Sequence, residues 1–280
     1  MKRTAEDDTK ESAKRANTTD DECKRVVVLK DGHDGAFAYV VPNGLGTVLA
    51  DELFAFMETL PGDDRPHDIL KEELLAMDDG RYADYQQRIG GFTHDRYKFF
   101  NALSARQVCA HYAPGTTGKK SYTYSGQTRE ALPMVEGDAL YRTCLKVSNI
   151  AATNFDFSLN NQYLNIHQYL SHHRDSERDL APGPITSCVV GASRTFEFKY
   201  IKSKGKKDDK PSAECGADKW GRVRIMLGHG DVLVMVRQGR WSHSVPKKAP
   251  GIELVPHTLY NNSVTSTRYS ITLRKMRSSN

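Results

Sequence analysis

The sequence lacks a long apolar run, a charge-free N-terminus and any cysteine pair at the C-x-x-C spacing. No hydrophobic segment approaches the roughly 20 residues needed to cross a bilayer, so we expect neither a membrane span nor a secretory signal. The five cysteines are scattered and odd in number. This argues against a zinc ribbon and predicts a reducing compartment, nuclear or cytoplasmic.

Large apolar and aromatic side chains are almost absent from residues 1–24, which we therefore expect to form a disordered charged tail. Its basic pairs Lys2-Arg3 and Lys14-Arg15 fit either a bipartite nuclear signal or a solvated charged segment. The remaining 25–280 can bury a core as one catalytic domain, since 38% of the chain is hydrophobic. A net charge of +5 permits a polyanionic partner without requiring one.

Apolar periodicity changes along the chain. Residues 26–29 and 37–41 predict a hairpin, and 46–60, 68–77 and 136–150 predict helices, whereas 78–118 shows no clear pattern. From residue 157 the apolar residues recur with a period of two, which predicts short strands. These strands are predicted at 157–166, 185–190, 194–200, 223–227, 231–236 and 269–273. Many short strands with turn-rich connections predict a mainly β fold with flanking helices, either a sandwich or a jelly roll.

Two histidines and an aspartate form a candidate metal site. In an extended strand His173 and Asp175 would share one face, and His243 on a separate strand would complete the set. Two imidazoles and one carboxylate are the facial triad of non-haem Fe(II) oxygenases. His172 would face the opposite side and is left out. By itself His-x-Asp occurs by chance in many proteins, so ordinary surface residues remain an alternative at this point.

The last strand presents Arg268, Ser270, Thr272 and Arg274 on one face. Burying two arginines without partners is costly, and a dicarboxylate would satisfy them because guanidinium binds carboxylate in a bidentate manner. A solvated edge strand explains the same pattern equally well.

Taken together, these motifs resemble the AlkB family of Fe(II)/2-oxoglutarate dioxygenases, closest to its eukaryotic duplex-acting branch. The resemblance covers roughly 106–276. It is carried by Asn161-x-Tyr163, His173-Arg174-Asp175-x-Glu177-Arg178, Leu180-Ala181-Pro182-Gly183, Ser187-x-x-x-Gly191-x-x-Arg194-x-Phe196-x-Phe198, His229-Gly230-Asp231, Trp241-x-His243-Ser244-x-Pro246 and Arg268 to Arg274. Ser270 stands where the family usually has Asn.

The resemblance implies a double-stranded β-helix (jelly roll) at about 155–276, with an N-terminal nucleotide-recognition lid at about 78–130. Iron would be held by His173, Asp175 and His243. For 2-oxoglutarate, Arg268 would bind the distal carboxylate and Arg274 would support the oxoacid end, with further contacts from Asn161, Tyr163 and Ser270. The implied substrate-binding residues are Tyr122, Tyr124, Ser125, Glu177, Arg178, Lys247 and Lys248.

The implied activity is oxidative demethylation of N-alkylated bases in nucleic acid, releasing succinate, carbon dioxide and formaldehyde. We expect DNA as the partner, with RNA possible, an extruded target base and a monomeric enzyme. A lysine-rich segment at 199–210 would bind phosphates together with Lys247 and Lys248. Two alternatives stay open: a protein or small-molecule hydroxylase on the same scaffold, and a catalytically silent nucleic-acid-binding module.

Overall fold

The computed structural model describes residues 24–63, 67–94, 106–118, 120–124, 127–203, 209–259 and 262–278, with only the backbone described at 67–71, 124 and 127. Apart from Lys24, the predicted tail lies outside these residues. The α-helices of the described part are Thr47–Thr59 (α1), His67–Ala76 (α2), Asp79–Ile89 (α3) and Ala139–Ala151 (α4). None of these described helices is long and apolar enough to cross a membrane.

Eighteen strands make up nearly half of the remaining described chain. The strands are Val26–Asp31 (β1), Ala36–Val41 (β2), Thr93–His94 (β3), Gln107–Tyr112 (β4), Ser121–Tyr124 (β5), Gln127–Glu130 (β6), Leu132–Pro133 (β7), Phe157–Tyr163 (β8), Leu170–His173 (β9), Ile185–Gly191 (β10), Ser193–Tyr200 (β11), Arg222–Leu227 (β12), Val232–Arg237 (β13), Trp241–Val245 (β14), Leu254–Val255 (β15), His257–Thr258 (β16), Val264–Thr265 (β17) and Arg268–Arg274 (β18). The predicted hairpin and the six predicted strands after residue 157 are confirmed.

Two sheets face each other across a shared core. The large sheet has nine strands in the order β1-β2-β13-β10-β18-β8-β4-β3, with β7 beside β4. The small sheet has five, in the order β12-β11-β14-β9, with β15 beside β11. Side chains of both sheets, such as Phe196 from the small one and Val189 from the large one, pack in a single cluster. The predicted jelly roll is therefore confirmed.

The large sheet buries both of its faces, which its side-chain alternation makes possible. Val189 of β10 points into the space between the sheets, whereas Cys188 and Val190 pack on the outer face. In β18, Tyr269 and Ile271 lie on the same outer face. The polar residues of β18 therefore point between the sheets, into the protein interior.

Helices α1 and α4 cover that outer face. Helix α1 buries Leu53 and Met57 and ends at Thr59; Leu60 is its C-cap, and the following Pro61 cannot continue a helix. Helix α4 begins after Asp138, whose carboxylate accepts the Tyr141 N–H at 2.6 Å. The predicted helices at 46–60, 68–77 and 136–150 are confirmed within a few residues.

The segment without a sequence pattern is more regular than we expected. Asp78 caps helix α3 by accepting the Arg81 N–H at 2.8 Å, and Gly90 ends the helix in the left-handed conformation, with φ of 66°. Strand β4 then joins the large sheet between β3 and β8. The range 78–130 proposed as a lid thus includes a strand of the core sheet.

A buried arginine ties the β5–β6 hairpin to this region. Arg129 donates hydrogen bonds to the Val108 carbonyl at 2.9 Å, the Tyr82 hydroxyl at 3.2 Å and the Thr93 hydroxyl at 2.5 Å. These acceptors belong to β4, α3 and β3, so one side chain fixes the hairpin against three elements. The hairpin carries Tyr122 on its first strand.

Candidate active site

His173 and His243 lie side by side on neighbouring antiparallel strands of the small sheet. His173 is the last residue of β9, and its register partner His243 is the central residue of β14. Their ring centroids are 4.2 Å apart. Asp175 approaches both, with Oδ2 3.4 Å from His243 Nε2 and Oδ1 3.9 Å from His173 Nε2. One ligand atom from each residue lies within 4.8 Å of the others, so the three predicted iron ligands converge.

The position of Asp175 beside the histidines does not result from side-chain alternation along a strand. The expectation that His173 and Asp175 share one extended strand is wrong, because β9 ends at His173. The Asp175 N–H instead donates to Gln238 Oε1 at 3.2 Å, and Arg274 Nη2 donates to Asp175 Oδ1 at 2.8 Å. Contacts from two distant segments therefore hold the carboxylate between the histidines.

The protonation states suit a divalent metal. His173 Nδ1–H donates to the Ser171 carbonyl at 2.9 Å, which leaves Nε2 as the unprotonated nitrogen of the neutral ring. Burial, then the neighbouring His243, lowers the pKa of His173 to about 3, and burial lowers the pKa of His243. Burial alone would raise the pKa of Asp175, but the Arg274 guanidinium keeps it below its usual value. Two neutral imidazoles and one carboxylate are the donor set of a non-haem Fe(II) site.

His172 lies outside this group. Its Nε2 is 2.9 Å from Glu197 Oε1, and Ser242 Oγ lies 3.4 Å from its Nδ1. Glu197 is buried and also accepts from Arg224 Nε at 2.6 Å. His172 therefore points to the outer side of the small sheet, as the alternation of β9 predicts.

Arg268 faces the interior with most of its hydrogen-bonding capacity unused. The side chain is fully buried, at 0% exposure, and Nη1 donates to the Leu227 carbonyl at 2.8 Å. Nε and Nη2 have no hydrogen-bond partner among the described residues. Burial lowers the pKa of Arg268 to about 10, so it stays charged at neutral pH. A buried guanidinium with two unsatisfied nitrogens is costly by itself, and a carboxylate is the group that fits it.

A cavity between the two sheets is lined by His173, Asp175 and His243 and by further polar groups. The buried Tyr163 hydroxyl has no hydrogen-bond partner among the described residues, and Tyr163 is the register partner of Arg268. Ser270 Oγ lies 3.1 Å from Ser187 Oγ. Asn161 Oδ1 accepts from Arg106 Nε at 2.7 Å. These groups and the unpaired side of Arg268 fit an anionic co-substrate such as 2-oxoglutarate.

Arg274 is paired differently from Arg268. It donates to Asp175 and, through Nη1, to the Tyr122 hydroxyl, and its guanidinium carbon lies 4.7 Å from the centre of the Tyr122 ring. Tyr122 in turn hydrogen-bonds Glu177, and burial raises the pKa of Glu177. Arg274 thus links the metal-ligand candidate to two residues predicted to contact the target base.

The other residues predicted to contact the substrate do not line the cavity or are not described in full. Arg178, Lys247 and Lys248 are exposed, the last two directly after β14 and Pro246. Tyr124 ends β5 with only its backbone described, and Ser125 lies outside the described residues, as do Lys204, Lys206 and Lys207.

Two cavity residues escaped the site prediction. Arg106 lies within the patternless segment 78–118, and its neighbours Gln107–Tyr112 show no polar alternation that would have marked it as facing a site. Phe196 stacks on His243, with centroids 5.6 Å apart and an interplanar angle of 14°. The period-two pattern predicted the strand that carries Phe196, but not that this ring would stack on a metal-ligand candidate.

Comparison with known proteins agrees with this geometry. Residues 68–274 match the 2OG-Fe(II) oxygenase superfamily. The chain is 36% identical over 141 residues to the DNA oxidative demethylase ALKBH2 of Homo sapiens, covering 48% of this chain and 50% of the relative. It is 35% identical over 171 residues to ALKBH2 of Bos taurus, covering 56% and 58%. The chain therefore spans about half the length of these relatives. A solved structure of OsALKBH1 aligns with 88% of this chain and 98% of its own, at 14% identity and a TM-score of 0.45.

Proposed function

Because the chain belongs to the 2OG-Fe(II) oxygenase superfamily, we propose that it removes N-alkyl groups oxidatively from bases in DNA. One observation carries the catalytic part of this proposal. The convergent His173, Asp175 and His243 line a cavity together with Ser270 and Arg274 of β18, and the fully buried Arg268, with two unpaired nitrogens, lies on the same face of that strand. A metal-ligand set beside a buried anion receptor is what a 2-oxoglutarate-dependent oxygenase requires.

Each group in the site then has a defined task. His173, Asp175 and His243 would hold Fe(II), and Arg268 would bind the distal carboxylate of 2-oxoglutarate with help from Tyr163 and Ser270. Iron and 2-oxoglutarate, when bound, supply with oxygen the oxidant that hydroxylates the N-alkyl carbon. Arg274 keeps Asp175 ionised and oriented, and supports the oxoacid end of the co-substrate.

The substrate part rests on the aromatic and acidic groups beside the metal candidates and on the relatives. Tyr122 would give an extruded base an aromatic wall, and Glu177, which hydrogen-bonds Tyr122, would read the Watson–Crick edge of that base. Both ALKBH2 relatives are named as DNA oxidative demethylases. We therefore favour DNA, with RNA as the alternative polymer.

The decisive experiment supplies Fe(II), 2-oxoglutarate and oxygen together with N-methylated DNA and RNA oligonucleotides, and measures formaldehyde and the mass of the product. We expect formaldehyde and a demethylated oligonucleotide, with DNA turned over faster than RNA. The Asp175→Ala variant is the matched control and should release none. Wild-type protein that converts 2-oxoglutarate to succinate but demethylates no oligonucleotide would refute the substrate class while leaving the oxygenase intact.

Phosphate contacts can be tested separately from base contacts. Lys247 and Lys248 are exposed after the strand that carries His243, so phosphates flanking the target base would lie within their reach. Charge reversal of both should reduce the slope of log affinity against log salt by about one unit per lost contact. An unchanged slope would remove these lysines from the DNA interface.

Several finer proposals accompany this function. Residues 25–280 would form one monomeric catalytic domain, in which 78–130 acts as a nucleotide-recognition lid over the 155–276 core. A nuclear location would follow if Lys2-Arg3 and Lys14-Arg15 form a bipartite signal. Light scattering tests the monomer. Imaging of a tagged chain, with and without Ala at the two pairs, tests the signal.

A further inference from the structure

A second concave surface lies on the outer side of the small sheet and meets the cavity at His173. We call it the outer groove. Its volume is about 610 Å³, within the range of roughly 300–1,000 Å³ typical of ligand sites. It is lined by His172, His173, Arg174, Lys199, Tyr200, Ile201, Lys202, Trp220 and Ser242. Because His173 borders both spaces, a polymer with one unit in the cavity would place its neighbouring unit at the outer groove.

The outer groove contains an indole that the fold does not bury. Trp220 is 64% exposed, whereas the other tryptophan of the chain, Trp241, is 1% exposed and donates to Asp31 at 2.9 Å. Lys219 Nζ lies 5.1 Å from the centre of the Trp220 ring. A large aromatic face left in water beside a cation offers a flat partner a stacking surface.

The charge of the groove is positive and is not neutralised from within. Arg174, Lys199 and Lys202 line it, and none of the three forms an ion pair with another described residue. The nearby carboxylates are already occupied. Glu197 is bound by Arg224 at 2.6 Å, and Asp209 by Arg240 at 2.5 Å. An aromatic platform among unpaired cations is complementary to a nucleotide, through its base and its phosphate respectively.

We propose that the outer groove binds an unpaired nucleotide next to the target, with its base stacked on Trp220 and its phosphate held by Arg174, Lys199 and Lys202. The proposal rests on the proposed function, since it concerns the polymer that enters the cavity. A base inside a duplex is already stacked and paired, so it cannot also stack on Trp220. The site therefore favours a single-stranded segment beside the target base.

The two tryptophans provide a direct test, because Trp220 is exposed and Trp241 is buried. Titration of the full chain with an unmethylated single-stranded oligonucleotide should quench the solvent-exposed tryptophan emission, and Trp220→Phe should remove that signal. The blunt duplex of the same sequence should quench far less. Absence of quenching by the single strand would overturn the proposal.

Affinity, measured by anisotropy of a labelled single strand, gives the second readout. Trp220→Ala should weaken binding about 5- to 150-fold, the equivalent of roughly 1–3 kcal/mol for one stacked base. Trp220→Phe, which keeps an aromatic ring, should recover most of the loss. Val48→Ala, at a position 73% exposed on α1 on the far side of the large sheet, should bind like wild type.

These outcomes separate the two proposals. If wild type demethylates oligonucleotides but Trp220→Ala binds single strands equally well, the outer-groove proposal is wrong and the function stands. If Trp220 is quenched and needed for binding while no methylated oligonucleotide releases formaldehyde, the groove stands and the demethylase proposal is wrong.

Discussion

Replacing Arg268 by Met tests the anion receptor more sharply than loss of activity can. Arg268 is fully buried, makes one hydrogen bond to the Leu227 carbonyl, and leaves two nitrogens without a partner in the described structure. Removing the charged partner of a buried carboxylate costs about 2–5 kcal/mol. At roughly 1.4 kcal/mol per factor of ten, Arg268→Met should raise the 2-oxoglutarate concentration needed for half-maximal succinate formation about 30- to 4,000-fold.

Thermal unfolding provides a readout that does not depend on turnover. With Fe(II) under anaerobic conditions, 2-oxoglutarate at 100 times its Kd should stabilise wild type by about 2.7 kcal/mol, and the same concentration should leave Arg268→Met nearly unchanged. Without 2-oxoglutarate, Arg268→Met should be as stable as wild type or more stable, because an apolar side chain replaces an incompletely paired buried charge.

Arg194 is the matched control for this substitution. It is also 0% exposed, but its two terminal nitrogens donate to the carbonyls of Asn165, Ile166 and Pro246. Arg194→Met would leave these three carbonyl oxygens without their hydrogen-bond donor and should destabilise the protein by about 3 kcal/mol or more. Suppose that Arg268→Met loses as much stability as Arg194→Met and is still stabilised by 2-oxoglutarate in thermal unfolding. Arg268 would then support the fold and would not bind the co-substrate. If Arg274→Met alone abolishes the shift, the roles of the two arginines are reversed.

Two further predictions follow from the site and from the strand behind it. Single Ala substitutions of His173, Asp175 and His243 should each abolish succinate formation while far-UV circular dichroism stays unchanged, whereas His172→Ala should retain most activity; equal loss at His172 and His173 would refute the ligand assignment. Gly191 has φ of 84°, and a Cβ there would lie 2.3 Å from a backbone carbonyl oxygen, so Gly191→Ala should lower the free energy of unfolding by about 1–3 kcal/mol in urea titration. An unchanged unfolding midpoint would contradict that strain argument.

Side-chain alternation made much of the core predictable from the sequence. In β18 the apolar Tyr269, Ile271 and Leu273 lie on the helix-covered face, while Arg268 and Arg274 point between the sheets. That separation can be predicted from the sequence because successive side chains of a strand point to opposite faces. The same pattern located the strand that carries Phe196, whereas β14, which carries His243, was not among the predicted strands.

The secondary structure of residues 78–118 was harder to predict, because this segment lacks a clear apolar periodicity. Helix α3 buries Tyr82, Tyr85 and Gln86 rather than aliphatic side chains, so its apolar face is weak in the sequence. Asp78 and Gly90 fit the ends of a helix, but without a clear apolar face between them the helix was not predicted. Strand β4 is buried almost throughout and therefore shows no alternation.

The position of Asp175 depends on contacts that no local pattern contains. Gln238 and Arg274 lie 63 and 99 residues further along the chain, and together they fix its N–H and its carboxylate. The sequence placed Asp175 beside the two histidines for an incorrect reason, since an extended strand through residue 175 is not formed. Tertiary contacts therefore position the one metal-ligand candidate that lies outside a strand.

The division of the site between the two sheets explains why a small dicarboxylate suits it. The metal-ligand candidates belong to the small sheet and the segment following β9, whereas Arg268 and Ser270 belong to β18 of the large sheet. Packed sheets lie about 10 Å apart, so a molecule that joins the metal to Arg268 has to cross that interior. One of its ends has to bind a divalent cation and the other a guanidinium, and both ends must therefore be oxygen-rich and anionic. The walls between them include the apolar Leu159, Phe196 and Met235, which favour an aliphatic connection. A five-carbon oxo-dicarboxylate meets all three requirements, and the β18 alternation that turns Arg268 inward is what imposes them.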